Sequence, residues 1–137
     1  MSLDYRYCDK MIDDFEKVVK NPIKTKSKVF YTGVDLGTAC VVIAVLDEEF
    51  KPVAGAYKYA DVVRDGMVVD YVGAVQIVKE LKEKIEKQLE TELIYAAAAI
   101  PPETDELDSG AIRNVVMAAG FELSNVLDEP TAANELL

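Results

Sequence analysis

Four residues have types and spacing suited to phosphate chemistry: Asp35, Gly37 and Thr38 in one short stretch, and Glu129 far downstream. The first three follow an apolar, β-branched run, Val29 to Val34, so they fall where a strand gives way to a turn. In open α/β sheets ligands bind beyond the C-terminal ends of strands. There a carboxylate such as Asp35 or Glu129 could hold Mg²⁺ through water, or orient an attacking water. Gly37 can adopt positive φ and lets a phosphate come close to the backbone. Thr38 offers a hydroxyl and an amide, and a turn of successive amides forms an anion-binding concavity. The plainer reading of Asp35 to Thr38 is a hairpin turn, since Asp and Gly are common turn residues. The plainer reading of Glu129 is an acid complementing the dipole of a helix that starts at Pro130.

The elements that would position these groups follow from periodicity. Residues 9–20 read as an amphipathic helix with Met11, Ile12, Phe15, Val18 and Val19 on one face, followed by a Lys-rich linker to Lys28. Strands are expected over 29–34, 39–46 and 50–59, joined by tight turns as a meander. A long helix follows at about 71–92, with Val75, Val78, Leu81, Ile85 and Leu89 as the buried stripe. Its outer face carries Glu80–Lys84 and Glu83–Lys87 in the favourable order. Leu93 to Ile100 contains four alanines, which favour a helix by propensity. The run is short and ends at Pro101-Pro102, so a central strand of small residues is the better reading. A helix at about 106–119 with Ile112, Val115, Val116 and Ala119 inward and Gly120 as cap, a strand at 121–127 and a helix from Pro130 complete the order. Strands alternating with helices imply a layered α/β sheet whose meander is its antiparallel part.

Composition limits the alternatives. The chain has 137 residues, half of them hydrophobic and 29% charged, which is the balance of a globular domain. Fifteen basic against twenty-five acidic residues give a net charge of −10, and no basic patch offers a nucleic-acid surface. A free nucleotide remains compatible, because amides, Lys and Mg²⁺ bind phosphate in acidic proteins. Histidine is absent, which excludes His-based metal sites, His general bases and Ser-His-Asp triads within the chain. Cys8 and Cys40 are the only cysteines, and a reducing cytosol with no disulfide is the simpler expectation. No signal peptide is visible, and the longest apolar stretch is too short to span a membrane.

Taken together the motifs resemble one superfamily. Gly33-Val34-Asp35-Leu36-Gly37-Thr38 resembles the first phosphate motif of the actin/DnaK-type ATPases. Ala99-Ile100-Pro101-Pro102, the helix ending at Ala119-Gly120, and Val126 to Ala133 with Glu129-Pro130-Thr131 resemble the DnaK-type connection. Arg64 to Tyr71 looks like the corresponding turn of bacterial actin homologues of the MreB and FtsA type. Across about residues 29–134 the chain is most similar to a family of ethanolamine-utilisation accessory proteins.

The resemblance implies a ribonuclease H-like, actin-type ATPase lobe of βββαβα topology, a mixed sheet flanked by helices. Residues 29–137 would form the first lobe of a two-lobe fold, and 1–28 a leader helix and linker. ATP with Mg²⁺ would bind between the lobes. Asp35 would approach the metal and the catalytic water, Gly37 and Thr38 the β- and γ-phosphates, and Glu129 the metal and its waters. The family's phosphoryl-stabilising Lys has no counterpart in a matching motif: Lys58 is the nearest Lys before the Arg64-Asp65-Gly66 turn and Arg64 is in that turn, and neither sits in such a motif. The second phosphate loop normally follows the Glu-Pro-Thr segment and is not found. The implied function is that of a chaperone-like ATPase-fold accessory protein, cytoplasmic and associated with ethanolamine-utilisation enzymes or a bacterial microcompartment. A non-catalytic interaction or assembly module with an actin-like fold is the alternative.

Overall fold

A five-stranded mixed sheet forms the centre of the chain, whose computed structural model describes residues 29–65, 67–100 and 104–124. The elements run β1 (Tyr31–Leu36), β2 (Cys40–Leu46), β3 (Pro52–Tyr59), β4 (Val63–Arg64), β5 (Met67–Val68), α1 (Tyr71–Leu89), β6 (Tyr95–Ala99), α2 (Glu106–Ala118) and β7 (Glu122–Leu123). The strand order is β3-β2-β1-β6-β7. β2 is antiparallel to both its neighbours, while β6 runs parallel to β1 and β7 parallel to β6. This is the expected mixed sheet: a meander, then two crossovers. The expected helices at 9–20 and from Pro130, and residues 125–127 of the strand expected at 121–127, lie outside the described residues; the described part of that strand is β7.

Alternation assigns the two faces. In β1 and β2, Val34 lies opposite Ile43 and Leu36 opposite Val41. These four are buried in the main core with Val45, Val53 and Ala98. α1 adds Ala74, Val78, Leu81 and Ile85 to that core, and α2 adds Ile112, Val115 and Val116. Both described helices therefore pack on one face of the sheet. The other face presents Gly33, Asp35, Cys40, Val42, Ala44 and Leu46, alternate residues of the same strands.

The helix ends are set by local chemistry. Asp70 caps α1, accepting from the Gly73 amide at 2.9 Å. A Cβ on Gly73 would collide with the Asp70 carboxylate, so this glycine makes room for the cap. α1 ends at Leu89 rather than 92, with Glu90 in the left-handed region at φ 54°. α2 begins on Asp105, which accepts from the Asp108 amide at 2.7 Å. It ends as expected on Gly120: at φ +112° the glycine takes the left-handed position, while Gly120 N–H donates to Met117 and Phe121 N–H to Val116.

Two details differ from expectation. The helix stripe shifts by one residue at its start: Ala74 is fully buried and Val75 only partly. Glu80 reaches Lys58 of β3 at 3.3 Å instead of Lys84, because β3 runs beside that flank of α1. A part-buried pair, Lys82–Glu86 at 3.0 Å, ties the far end of α1 to the start of β6 through Glu86 and the Leu93 amide. Lys82 also sits over the Phe121 ring at 5.3 Å, joining both helix ends to the entry of β7.

Candidate functional site

The C-terminal ends of β1, β3 and β6 lie at one edge of the sheet, and the expected phosphate turn is there. β1 and β2 are joined by Gly37-Thr38-Ala39, a turn closed by the Gly37 amide donating to the Cys40 carbonyl at 2.9 Å. A second bond fixes the loop from the side: the Ala60 amide, just past β3, donates to the Ala39 carbonyl at 3.1 Å. The loop therefore has little freedom. No described residue accepts a hydrogen bond from the Thr38 or Ala39 amide.

Gly37 fills its position for a reason other than the expected one. Its φ is not in the left-handed region. Instead, a Cβ there would stand 3.0 Å from the Cys40 carbonyl oxygen, so the glycine permits close approach of the two strand ends. Gly37 and Thr38 are half-buried.

Asp35 was expected beyond the end of the first strand and is instead within it. The ladder continues to Leu36 opposite Val41, which places Asp35 opposite Val42 on one side and Ala99 on the other. Its face carries small neighbours, Gly33, Ala97 and Ala99, and the carboxylate is half-buried. Pairing persists because Leu36 and Val41 complete the core on the opposite face. Asp35, Gly37 and Thr38 are thus brought together at the strand-to-turn junction. Glu129 lies outside the described residues, so its distance from this edge is not part of the geometry.

The two cations considered from the sequence, Lys58 and Arg64, are engaged elsewhere. Lys58 pairs with Glu80, and Arg64 pairs with Asp61 at 2.8 Å. The hydrogen bond and charge of Asp61 raise the Arg64 pKa above its ordinary value. Asp61 itself was not singled out from sequence; it follows Ala60 and so stands beside the fixed loop. The stretch Arg64 to Asp70, read as a turn, contains the small β4–β5 hairpin, with Asp65 at φ 51°. Among the described residues no three His, Cys, Asp or Glu side chains gather as a metal site. No helix among them is long and apolar enough to cross a membrane.

One expectation on the cysteines fails. Cys40 is not an unpaired thiol but is disulfide-bonded, and its partner lies outside the described residues.

Comparison with known proteins agrees with the fold. No protein-family model matches the chain. It is 46% identical over 118 residues to the ethanolamine utilization protein EutJ of Escherichia coli (strain K12), covering 86% of this chain and 41% of that protein. To EutJ of Salmonella typhimurium it is 48% identical over 107 residues, 78% of this chain and 37% of that one. The crystal structure of EutJ from Carboxydothermus hydrogenoformans superposes with a TM-score of 0.81 at 46% identity, covering 90% of this chain and 46% of that chain. MreB5 of Spiroplasma citri, solved bound to ADP, matches with a TM-score of 0.51 at 19% identity over 74% of this chain and 38% of its own, a likeness of fold alone. By sequence and by fold the chain is a relative of EutJ with an actin-type ATPase fold, spanning less than half the length of the EutJ proteins it matches.

Proposed function

We propose that this chain is the first lobe, residues 29–137, of a chaperone-like ATPase-fold accessory protein of ethanolamine utilisation, acting in the cytoplasm beside the pathway's enzymes or microcompartment, with residues 1–28 as its leader helix and linker. The lobe would receive ATP and Mg²⁺ against the Gly37–Cys40 turn. The observation that carries this reading is the turn itself. It is held on two sides by the Gly37–Cys40 and Ala60–Ala39 bonds while the Thr38 and Ala39 amides have no acceptor among the described residues. Two open amides in a fixed loop suit a phosphate oxygen.

The donor set also suits the metal. Mg²⁺ is commonly held by one or two carboxylates plus phosphate oxygens and waters, so a carboxylate such as Asp35 near the turn suits it without a protein cage. Bound ATP would supply a transferable γ-phosphoryl group. The chain's own part is to position: Asp35 orients water, Thr38 offers its hydroxyl and amide, and Glu129 adds a second carboxylate. MreB5, a protein of the same fold, is known with ADP bound, which supports a nucleotide as the ligand class.

A second reading, a non-catalytic assembly module that binds nucleotide without turning it over, is favoured by one observation. Lys58 is paired with Glu80 and Arg64 with Asp61, so neither of these two cations is poised to stabilise a transferred phosphoryl group.

Calorimetry of ATP–Mg²⁺ on a chain that includes both lobes tests the first point. Binding that is lost in Asp35→Ala is expected; absent binding, or binding indifferent to Asp35→Ala, refutes the site. Phosphate release in Glu129→Ala then separates the readings: a fall from a measurable rate supports an ATPase, and no release by the parent protein supports the module.

A further inference from the structure

One corner of the molecule carries apolar side chains that the core does not use. Met67, Val69, Tyr71, Val72 and Leu107 are all large and exposed, Val72 at 71% and Leu107 at 85%. None of the five belongs to the main core. Topology gathers them. β3 and β6 both end at the sheet edge that holds the Gly37–Cys40 turn, so the β4–β5 hairpin and the first turns of α1 and α2 all begin from that edge. α2 also packs on β5. The hairpin has its own anchor: Val63 is buried, its cross-strand partner Val68 packs on the core, and alternation turns Met67 and Val69 outward. The first turn of α1 is a place where carboxylates stabilise a helix, yet it holds no acid and exposes Tyr71 and Val72. Exposed apolar side chains clustered in this way mark an interaction surface.

We propose that this corner is a docking surface for a basic, amphipathic segment of a partner protein. Charge selects that occupant. Asp61, Asp65 and Asp70 flank the patch on the hairpin side, and Asp105, Glu106 and Asp108 on the α2 side. Against these six carboxylates the same two stretches, 61–73 and 104–109, carry one cation, Arg64, which is paired with Asp61. An apolar centre inside an acidic rim is complementary to an apolar stripe flanked by Lys or Arg.

The same rim argues against other occupants. A second copy of this chain, with the same carboxylates and a net charge of −10, would set like charge against like. Nucleic acid and an anionic bilayer meet the same repulsion. The surface stands apart from the nucleotide reading: it uses neither Asp35 nor the Thr38 and Ala39 amides, so a partner could dock with the turn empty.

The test is fluorescence anisotropy of a labelled amphipathic helical peptide of Leu and Lys, titrated without nucleotide into the full-length, two-lobed protein. Binding is expected. Val72→Ser combined with Leu107→Ser removes exposed apolar surface and no core contact, and should weaken binding on the order of tenfold. Met117→Ser, at an exposed apolar residue near the other end of α2, should leave it unchanged. Asp65→Asn with Glu106→Gln should weaken binding and flatten its salt dependence. Absence of binding, or affinity indifferent to the double Ser variant, overturns the proposal. So does equal binding of a scrambled peptide of the same composition, which would show attraction by charge alone. A dimer in sedimentation that the double Ser variant dissociates would assign the corner to a second copy and overturn it as well.

Discussion

The two turns that flank β2 look alike in sequence and behave differently in the fold. Each is entered through an aspartate: Asp35-Leu36-Gly37-Thr38 before the strand and Asp47-Glu48-Glu49-Phe50 after it. The second turn satisfies itself. The Asp47 carboxylate accepts from the Glu49 amide at 2.8 Å and the Lys51 amide at 3.0 Å. The Asp47 backbone adds bonds to Phe50 and Lys51, and Phe50 takes the left-handed position at φ 61° while stacking on Tyr31 at 4.8 Å. In the first turn the aspartate stays in the ladder opposite Val42, and the Thr38 and Ala39 amides find no described acceptor. An aspartate one residue inside a strand end leaves its turn open, and an aspartate at the corner fills it. The open turn offers the Thr38 and Ala39 amides to a ligand, while the Glu49, Phe50 and Lys51 amides of the other turn are already engaged.

Substitutions can break this contrast at several depths. Both turns hang on β2, so Ile43→Ala, at a fully buried core position, should cost about 2–5 kcal/mol and loosen both; urea denaturation measures it. Gly37→Val should cost about 1–3 kcal/mol, because its Cβ would press on the Cys40 carbonyl, and should loosen only the first turn. Asp47→Ala removes one acceptor from two exposed amides and should cost about 1 kcal/mol, again by denaturation. Phe50→Gly should be the mildest. Relief of left-handed strain, about 1–2 kcal/mol, is offset by the lost ring stacking, about 0.5–1.5 kcal/mol, leaving a net change within about 1 kcal/mol. A larger loss at Phe50 than at Asp47 would mean that stacking, not the carboxylate, organises the second turn.

Much of the scaffold was legible because its signals are periodic. The α1 stripe at Val78, Leu81 and Ile85, the α2 stripe at Ile112, Val115 and Val116, and the Gly120 cap depend on local rules and hold. The Ala96–Ala99 run reads correctly as a strand, since its length and the following prolines outweigh helix propensity. What escaped depends on contacts between distant residues. The β4–β5 strands are two residues each, too short for alternation to register. Glu80 has an equally good local partner in Lys84, and only the placement of β3 selects Lys58.

The geometry of the candidate site was legible only in part, for the same reason. Asp35, Gly37 and Thr38 stand out by residue type, but whether the strand stops before or after Asp35 is decided by the cross-strand core pair Leu36–Val41. The need for Gly37 comes from a carbonyl across the turn, which no local torsional rule anticipates. The tie from Ala60 to Ala39 joins residues far apart in the chain, so Asp61, delivered to the same edge by that tie, carried no signal of its own.

The most direct test follows the backbone amides themselves. In a two-lobed protein labelled with ¹⁵N, titration with ADP and Mg²⁺ should shift the Thr38 and Ala39 amide resonances and slow their exchange with solvent. The Glu49 and Lys51 amides, already bonded to Asp47, should stay in place. Binding with the Thr38 and Ala39 resonances unmoved would contradict the assignment of the open turn as the phosphate-receiving element.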